Sequence, residues 1–292
     1  MTKVCSFLVV AAVCAAAASA ASAPSGRIAF SSASGVGGKV QVWVMNANGG
    51  GRHAVTPPTS DEAQPDLSPN ASRIVFTSHG NIYVMRVNGS GARRLTPSPA
   101  NEMSPVWSGD GRSIAYARYR SGRSGIWTMR ADGSHKRQLT RTAALEDVPA
   151  WSRDGRRIAY AGPEARIWLM NADGSGRHSV TKTASGGGVD WAPSWSPDGR
   201  RIAYEASGGA SPVNPTNEIW VINADGSHPV RLTNNALDDI QPVWSPDGGW
   251  LAFASERPRP GRNHVWVMHP NGKGLHRVSS SPAEEYYPSW AR

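Results

Sequence analysis

Cysteine and long hydrophobic runs are scarce in this 292-residue sequence. Its two cysteines, Cys5 and Cys14, both lie within the first 14 residues. The extended apolar run over residues 7–18 is shorter than the roughly 20 residues that a membrane-spanning helix needs. Disulfide scaffolds, thiol chemistry and a membrane span are therefore excluded for the chain beyond this opening segment.

The opening segment is typical of a secretory signal peptide. A lysine precedes the apolar run, which ends in the small-residue pattern Ala18-Ser19-Ala20. We predict a signal peptide over residues 1–20, cleaved after Ala20, with Ala23 as the alternative site. The mature protein is then expected outside the cytoplasm, periplasmic or secreted.

Helical periodicity is also missing. No stretch of 12 or more residues repeats its apolar positions at the helical spacing, whereas short alternating runs recur between Gly, Pro, Asp and Asn. The chain holds 31 Gly, 22 Pro and 12 Trp, and 39% of it is hydrophobic. The composition and pattern predict one large all-β domain.

One phrase returns along the whole chain, and Pro193-Ser194-Trp195-Ser196-Pro197-Asp198-Gly199 is its fullest copy. The phrase reads as a strand followed by a tight turn. Its copies are centred, 40 to 49 residues apart, on Leu67, Trp107, Trp151, Trp195, Trp244 and Trp290. A period of this length predicts an array of four-stranded units.

Each of the four strand types occurs six times, but one inner strand stands at the wrong end of the chain for its unit. The first unit, which begins near Arg27, lacks an inner strand, and the sixth inner strand, Tyr287-Pro288-Ser289-Trp290, stands at the C-terminus. A closed ring places that strand in the first unit and removes the exposed edges that an open stack would keep. We therefore predict an all-β six-bladed β-propeller of four-stranded blades over residues 24–292, closed by the C-terminal strand.

The repeat resembles that of TolB-type six-bladed propellers. The resemblance rests on Pro-x-Trp-Ser-Pro-Asp-Gly-x-x-Ile-Ala-Phe/Tyr, followed by Ile-Trp-Val-Met-x-Ala-Asp-Gly-Ser and Leu-Thr, and it covers essentially the whole mature chain. TolB proteins carry a further domain ahead of the propeller, where this sequence has only the predicted signal peptide. The resemblance implies the fold, while membership of a Tol–Pal complex stays open.

Loop lengths separate the two faces of the predicted ring. The first and third turns keep constant lengths, whereas the link between second and third strands varies from five residues (77–81) to fourteen (205–218). That link shares a face with the connections between blades, one of which is lengthened by Ser185-Gly186-Gly187-Gly188. Because binding loops tolerate such variation on a rigid scaffold, we expect ligands on this variable face.

An acidic residue stands three positions before the inner-strand proline of every blade. The six are Glu62, Glu102, Glu146, Asp190, Asp239 and Glu285. We expect them at the channel mouth, where they would bind a cation or a basic group. The alternative is structural, with each carboxylate accepting backbone N–H groups from its tight link, and the sixfold repetition favours it. No residue is assigned as a metal ligand, and no cofactor is expected apart from a divalent cation at the channel mouth.

Basic residues exceed acidic ones, with 31 Lys and Arg against 22 Asp and Glu. Export makes nucleic acid an unexpected partner, whereas an anionic envelope polymer suits the charge. Two variable-face loops combine Arg and Tyr in the manner of partner surfaces, although solvated loops are the commoner explanation. Their residues are Arg118, Tyr119, Arg120 and Arg123 in one loop and Arg257, Arg259 and Arg262 in the other.

Two functions from different classes follow. We favour a monomeric, non-enzymatic scaffold outside the cytoplasm that recognises a protein or envelope polymer through the variable face and channel mouth. The alternative is a metal-assisted lyase or hydrolase that uses carboxylates at the channel mouth. The sequence has no Gly-x-Ser-x-Gly and no His-Glu-x-x-His motif, so we assign no catalytic residue. Propellers host both classes, and the fold does not choose between them.

Overall fold

The computed structural model describes residues 23–34, 36–97, 99–182, 188–207 and 216–292. The predicted signal peptide, most of the glycine-rich link at 185–188 and most of the loop at 205–218 lie outside these ranges. Within them, no helix is long and apolar enough to cross a membrane.

The described residues form six antiparallel sheets, each of four strands. The sheets, which we call blades 1 to 6, run from the inner to the outer strand in chain order, except that the last strand of the chain is the inner strand of blade 1. Short 3₁₀ turns occupy Val36–Gly38 and Pro163–Ala165. Blade 1 contains β24 (Glu285–Ala291), β1 (Arg27–Ser32), β2 (Gln41–Asn46) and β3 (His53–Ala54); blade 2 contains β4 (Glu62–Leu67), β5 (Arg73–Ser78), β6 (Asn81–Arg86) and β7 (Arg93–Arg94); blade 3 contains β8 (Asn101–Trp107), β9 (Ser113–Arg120), β10 (Arg123–Arg130) and β11 (Arg137–Gln138). Blade 4 contains β12 (Asp147–Trp151), β13 (Arg157–Gly162), β14 (Arg166–Asn171) and β15 (His178–Ser179); blade 5 contains β16 (Asp190–Trp195), β17 (Arg201–Ser207), β18 (Asn217–Asn223) and β19 (Val230–Arg231); blade 6 contains β20 (Asp239–Trp244), β21 (Leu251–Ser255), β22 (His264–Met268) and β23 (His276–Arg277).

The ring closes where the two ends of the chain pair. β24 lies antiparallel to β1, with Arg27 opposite Ala291 and Ile28 opposite Trp290. The Trp290 indole also donates to the Ser25 carbonyl at 2.8 Å. The predicted six-bladed propeller, closed by its C-terminal strand, is therefore confirmed.

The second and third strands of each blade are buried on both faces. Within β1, Ile28, Ala29 and Phe30 are fully buried, although they point alternately to opposite sides of the sheet. Ile28 and Phe30 pack with residues of blade 6, whereas Ala29 packs with residues of blade 2. Each blade thus buries both faces between its two neighbours, and no blade has a complete core alone.

The first turn of blades 3 to 6 is held by its own serine and aspartate, and that of blade 2 by Ser68 and Asn70. In blade 3 the Ser108 hydroxyl donates to Asp110 at 2.6 Å and accepts the Ser113 amide at 2.9 Å. Gly111 occupies the left-handed region at φ 68°, which favours glycine. These bonds fix the turn, which explains its constant length.

Adjacent blades are also joined by arginines stacked on tryptophans. The Arg157 guanidinium of blade 4 lies 4.4 Å from the centre of the Trp195 ring of blade 5 and donates to the Gly199 carbonyl at 2.8 Å. Arg201 stacks in the same way on Trp244 of blade 6 at 4.8 Å. Part of the positive charge is therefore used inside the scaffold rather than on a binding surface.

We expect Trp290→Ala to destabilise the protein by about 3–5 kcal/mol, because Trp290 is buried at the ring closure and a large aromatic leaves a cavity. Deleting residues 286–292 should prevent cooperative unfolding altogether. Urea denaturation checks both. Trp290→Phe keeps most of the packing and should lose far less, and a truncated protein as stable as the parent would contradict closure by β24.

Candidate functional site

Every inner strand contains a bulge at its proline. The pairing register with the second strand shifts there in all six blades. Proline cannot donate a ladder hydrogen bond, so a proline inside a strand is accommodated at a bulge. A bulge re-aims the side chains around it, and bulges are over-represented next to active sites.

The residue before each proline adopts the left-handed conformation, although none of the six is glycine. Their φ angles lie between 43° and 56°, a region that is uncommon for such residues. All six line one cavity at the start of the inner strands, which is the end of the channel that belongs to the variable face. We call them the mouth ring: Gln64, Ser104, Val148, Ala192, Gln241 and Tyr287.

Side chains of one blade accept the mouth-ring amides of the next. The Gln64 amide donates to the Ser31 hydroxyl at 3.1 Å, and the Gln64 side-chain oxygen accepts the Ser104 amide at 2.9 Å. On the other side, the Glu205 carboxylate accepts the Gln241 amide at 2.6 Å. The Gln241 side-chain oxygen in turn accepts the Tyr287 amide at 2.7 Å. These bonds hold the polar part of the mouth ring in place and satisfy the amides that the bulges release.

Tyr287 is the largest member of the mouth ring. Burial raises the pKa of its phenol, the carboxylates of Asp147 and Glu205 raise it further, and the side chains of Gln64 and Gln241 lower it. Asp147 belongs to blade 4, whereas Tyr287 belongs to blade 1, so the phenol lies within electrostatic reach of a carboxylate across the ring. The Asp147 carboxylate also accepts the Tyr119 hydroxyl at 2.5 Å.

The cavity beneath the mouth ring is polar on one side and apolar on the other. It measures about 170 Å³. Gln241, Tyr287 and Gln64 come from blades 6, 1 and 2, whereas blades 4 and 5 contribute Val148 and Ala192. Below the ring the wall contains the six inner-strand prolines and the residues that follow them. A site with these two sides can orient a ligand that is itself amphipathic.

Among the described residues that line the mouth cavity, Asp66 is the charged one. Its carboxylate accepts the Ser289 hydroxyl at 2.6 Å and the Trp107 amide at 2.7 Å. Burial raises the pKa of Asp66 to about 6, and these two donors lower it. Blade 2 is also the blade with Leu67 in place of tryptophan, so its inner strand departs from the repeat at two successive positions.

The structure places the six predicted carboxylates at the junctions between blades. They are absent from the residues that line the mouth cavity. Glu102, Glu146, Asp239 and Glu285 have no exposed surface, Asp190 is buried, and Glu62 is half-buried. A role for them in ligand binding stays a prediction.

A hydroxyl just after the fourth strand lies beside five of the predicted carboxylates, those of Glu62, Glu146, Asp190, Asp239 and Glu285. Burial raises the pKa of Glu146, and the Thr140 hydroxyl is the foremost group that lowers it. The same hydroxyl accepts the Ile126 amide at 2.9 Å. This second bond recurs in all six blades at 2.8 to 3.0 Å, from Val42 to Thr56, Ile82 to Thr96, Ile126 to Thr140, Ile167 to Thr181, Ile219 to Thr233 and Val265 to Ser279.

Arginines accompany three of these carboxylates. Arg257 donates to Asp239 at 2.8 Å, Arg52 lies 3.3 Å from Glu285, and Arg118 lies 3.7 Å from Glu102. Two of the predicted variable-loop arginines, Arg118 and Arg257, therefore bind the scaffold. These pairs tie three of the six carboxylates to the scaffold, and the alternative in which each carboxylate accepts backbone N–H groups of its link stays a prediction.

The remaining loop residues lie on the variable face. Arg120, Arg123 and Arg259 are exposed. Arg262 is also exposed and donates to the Pro282 carbonyl at 3.0 Å. Among the described residues, no three His, Cys, Asp or Glu side chains converge as metal ligands, so the geometry does not gather the predicted carboxylates into one site.

Sequence reasoning missed the mouth ring. The sequence signal was the residue directly before the inner-strand proline. The proline is the same in all six blades, whereas the residue before it has five identities, since only Gln64 and Gln241 are alike. A proline inside a predicted strand indicates a bulge, and that bulge explains why this variable position faces the channel.

The repeat identifies the family. The family described as PD40, TolB beta propeller domain, matches residues 77–213 and 130–292. The chain belongs to the TolB beta propeller family. Because these matches cover most of the chain, the predicted resemblance is confirmed for the propeller itself.

Relatives of this TolB-like propeller share the fold at low identity. The Tol-Pal system protein TolB of Desulfosudis oleivorans is 34% identical over 76 residues, which are 26% of this chain and 16% of that protein. TolB from Acinetobacter baumannii has a TM-score of 0.78 at 19% identity, over 92% of this chain and 67% of that one. An oligogalacturonate lyase in complex with manganese has a TM-score of 0.63 at 16% identity, over 88% of this chain and 74% of that one. The chain thus aligns with a small part of its curated relative, and the structural matches show the fold alone.

We expect Thr140→Val to destabilise the protein by about 1–3 kcal/mol, because it leaves the buried Ile126 amide without its acceptor. Chemical denaturation measures the change. Thr128→Val, at a half-buried position in the third strand of the same blade, is the matched control and should cost less stability. Equal effects of the two variants would contradict the structural role of the hydroxyl.

Stability should fall as the pH rises from 5 to 8. Burial raises the pKa of Glu205 from the usual 4.5 to about 7, although the Gln241 amide lowers it. A raised carboxyl pKa means that the folded protein binds the proton more tightly than the unfolded chain. The stability gained below about pH 4.5 is therefore lost through about pH 7. One pKa unit corresponds to about 1.4 kcal/mol.

Glu205→Gln should flatten this dependence, though not abolish it, because the pKa of Asp66 is also raised, to about 6. Urea unfolding of parent and variant at pH 5 and pH 8 gives the two slopes. Glu164→Gln, whose side chain is 65% exposed, serves as the control. A variant slope equal to that of the parent would show that Glu205 is not the titrating group.

Proposed function

We propose that this TolB-like propeller is a non-enzymatic binding scaffold outside the cytoplasm. It recognises a protein or an anionic envelope polymer through the variable face and the channel mouth. The predicted signal peptide supports the location, and the scaffold is expected to act as a monomer.

The mouth ring is the observation that carries the proposal. Six residues with one backbone conformation carry five different side-chain types, while the carboxylate and the proline on either side repeat. Scaffold requirements alone keep equivalent positions alike, as they do in the first turns. A position that is equivalent in backbone yet divergent in side chain, and that faces a cavity, is typical of a recognition surface.

The enzymatic alternative has less support in the geometry. The carboxylates that it would use lie at separate blade junctions beside their own hydroxyls. The similarity to an oligogalacturonate lyase, at 16% identity, concerns the fold. We therefore assign the mouth ring to binding and no residue to catalysis.

Site-specific photo-crosslinking tests the proposal in the native host. Benzoylphenylalanine replaces Asn101 or Arg259, which are exposed on the variable face. In a second pair it replaces Arg112 or Arg156, which are exposed on the opposite face, where the first and third turns lie and which we call the turn face. We expect discrete adducts from the first pair only. Cell fractionation of the same cultures checks the location.

Two results would contradict the proposal. Adducts from Arg112 or Arg156 alone would move recognition to the turn face. A protein found in the cytoplasmic fraction would contradict the proposed location, whichever adducts it forms.

A further inference from the structure

The residue immediately before each predicted carboxylate forms an outer rim on the variable face. In four blades it is polar: Asp61, Asn101, Asp238 and Glu284. Blades 4 and 5, which are neighbours in the ring, instead carry Leu145 and Val189, exposed by 55% and 42%. The six-fold repeat is therefore broken toward exposed apolar side chains at two adjacent positions.

The same two blades also supply the apolar side of the mouth. Val148 and Ala192 are their mouth-ring residues, and Trp191 lines the cavity beside them. Blades 4 and 5 thus carry apolar residues both on the exposed rim and in the mouth, and we call these residues the apolar sector. Exposed apolar side chains are usually scattered singly, so two at equivalent positions of adjacent blades point to an interaction site.

Exposed cations without ionic partners border this apolar sector. Arg120 and Arg123 lie on the blade 3 hairpin, Arg141 lies on the link into blade 4, and Lys182 lies on the link into blade 5. None of the four forms an ion pair with another described residue. Other arginines of this face, such as Arg118 and Arg257, do have carboxylate partners.

Arg120 and Arg123 also face each other across the hairpin. They are directly opposed in the β9–β10 register, joined by Ser121 and Gly122 at positive φ. Like charges in opposed positions destabilise a strand pair. The scaffold therefore keeps two exposed like charges at opposed positions, which an external anion would offset.

We propose, on the basis of the function proposed above, that blades 3 to 5 bind an acidic protein segment with an apolar anchor residue. The anchor packs on Leu145 and Val189 and reaches toward the apolar side of the mouth. Carboxylates of the segment pair with Arg120 and Arg123. A protein fits better than an anionic polysaccharide, because a polysaccharide offers no apolar side chain for this sector.

A random 12-residue peptide library, displayed on ribosomes and selected on the mature protein, tests the proposal. We expect selected peptides to combine several Asp or Glu residues with one large apolar residue. Fluorescence polarisation of labelled synthetic copies should show at least tenfold weaker binding at 500 mM than at 50 mM NaCl, since exposed charge pairs are screened.

Two variants separate binding from folding. Leu145→Asp places at the rim the residue that Asp61 and Asp238 already provide in other blades, so the fold should tolerate it. Arg120→Glu converts the opposed pair to opposite charges and should leave the melting temperature unchanged or raised. Each variant should bind the selected peptides at least tenfold more weakly than the parent protein does. Arg112→Glu, the same charge change on the turn face, should leave binding unchanged.

The other outcomes overturn the inference. Selected peptides that bind equally to Leu145→Asp and Arg120→Glu would place recognition elsewhere, as would a selection that enriches no acidic peptide. Binding of polygalacturonate that is insensitive to Leu145→Asp would indicate a polymer. If these outcomes occur but photo-crosslinking still gives adducts on the variable face, the proposed function stands and only the acidic-segment inference fails. If photo-crosslinking gives no variable-face adducts either, both are refuted.

Discussion

Each blade of this protein must bury both faces of its sheet against its neighbours. The second and third strands are apolar on both sides, as Ile28 and Ala29 show by packing toward blades 6 and 2 respectively. A single blade therefore has no stable state of its own, and an open row would leave two unburied faces. Ring closure by β24 buries both of these end faces at once. The other regular features of the structure follow from the need to position each blade correctly against the next.

Two kinds of contact position each blade against the next, one near the turn face and one near the variable face. Near the turn face, arginines stack on the tryptophan of the following blade. Near the variable face, the hydroxyl that ends each fourth strand accepts a third-strand amide and lies beside a buried carboxylate. The hydroxyl contact repeats in all six blades, and the arginine stack joins blade 4 to blade 5 and blade 5 to blade 6, because similar junctions recur around the ring. Repetition itself is thus a sign of structural duty, and it accounts for many charged residues that would otherwise look functional.

The fold could be predicted because it depends on features that a sequence displays directly. Period, strand alternation, turn glycines and the displaced inner strand required no knowledge of side-chain positions. The candidate site could be predicted only in part. Arg118 and Arg257 sit in variable loops but bind scaffold carboxylates, and the acidic residues lie between blades rather than on the cavity wall. Their roles depend on which way each side chain points. A bulge inserts one extra residue into the strand and so changes which side chains face the channel.

Departures from the repeat are more informative about function than the charges that recur in every blade. The mouth ring keeps one strained backbone conformation in six blades and varies its side chains. The rim is polar in four blades and apolar in two adjacent ones, beside an opposed pair of arginines. Nothing in closing the ring requires these differences, since the other blades close without them. Strain, exposed apolar surface and like-charge contact each cost stability, and their concentration on one face, around one cavity, locates the part of the molecule that a partner would complete.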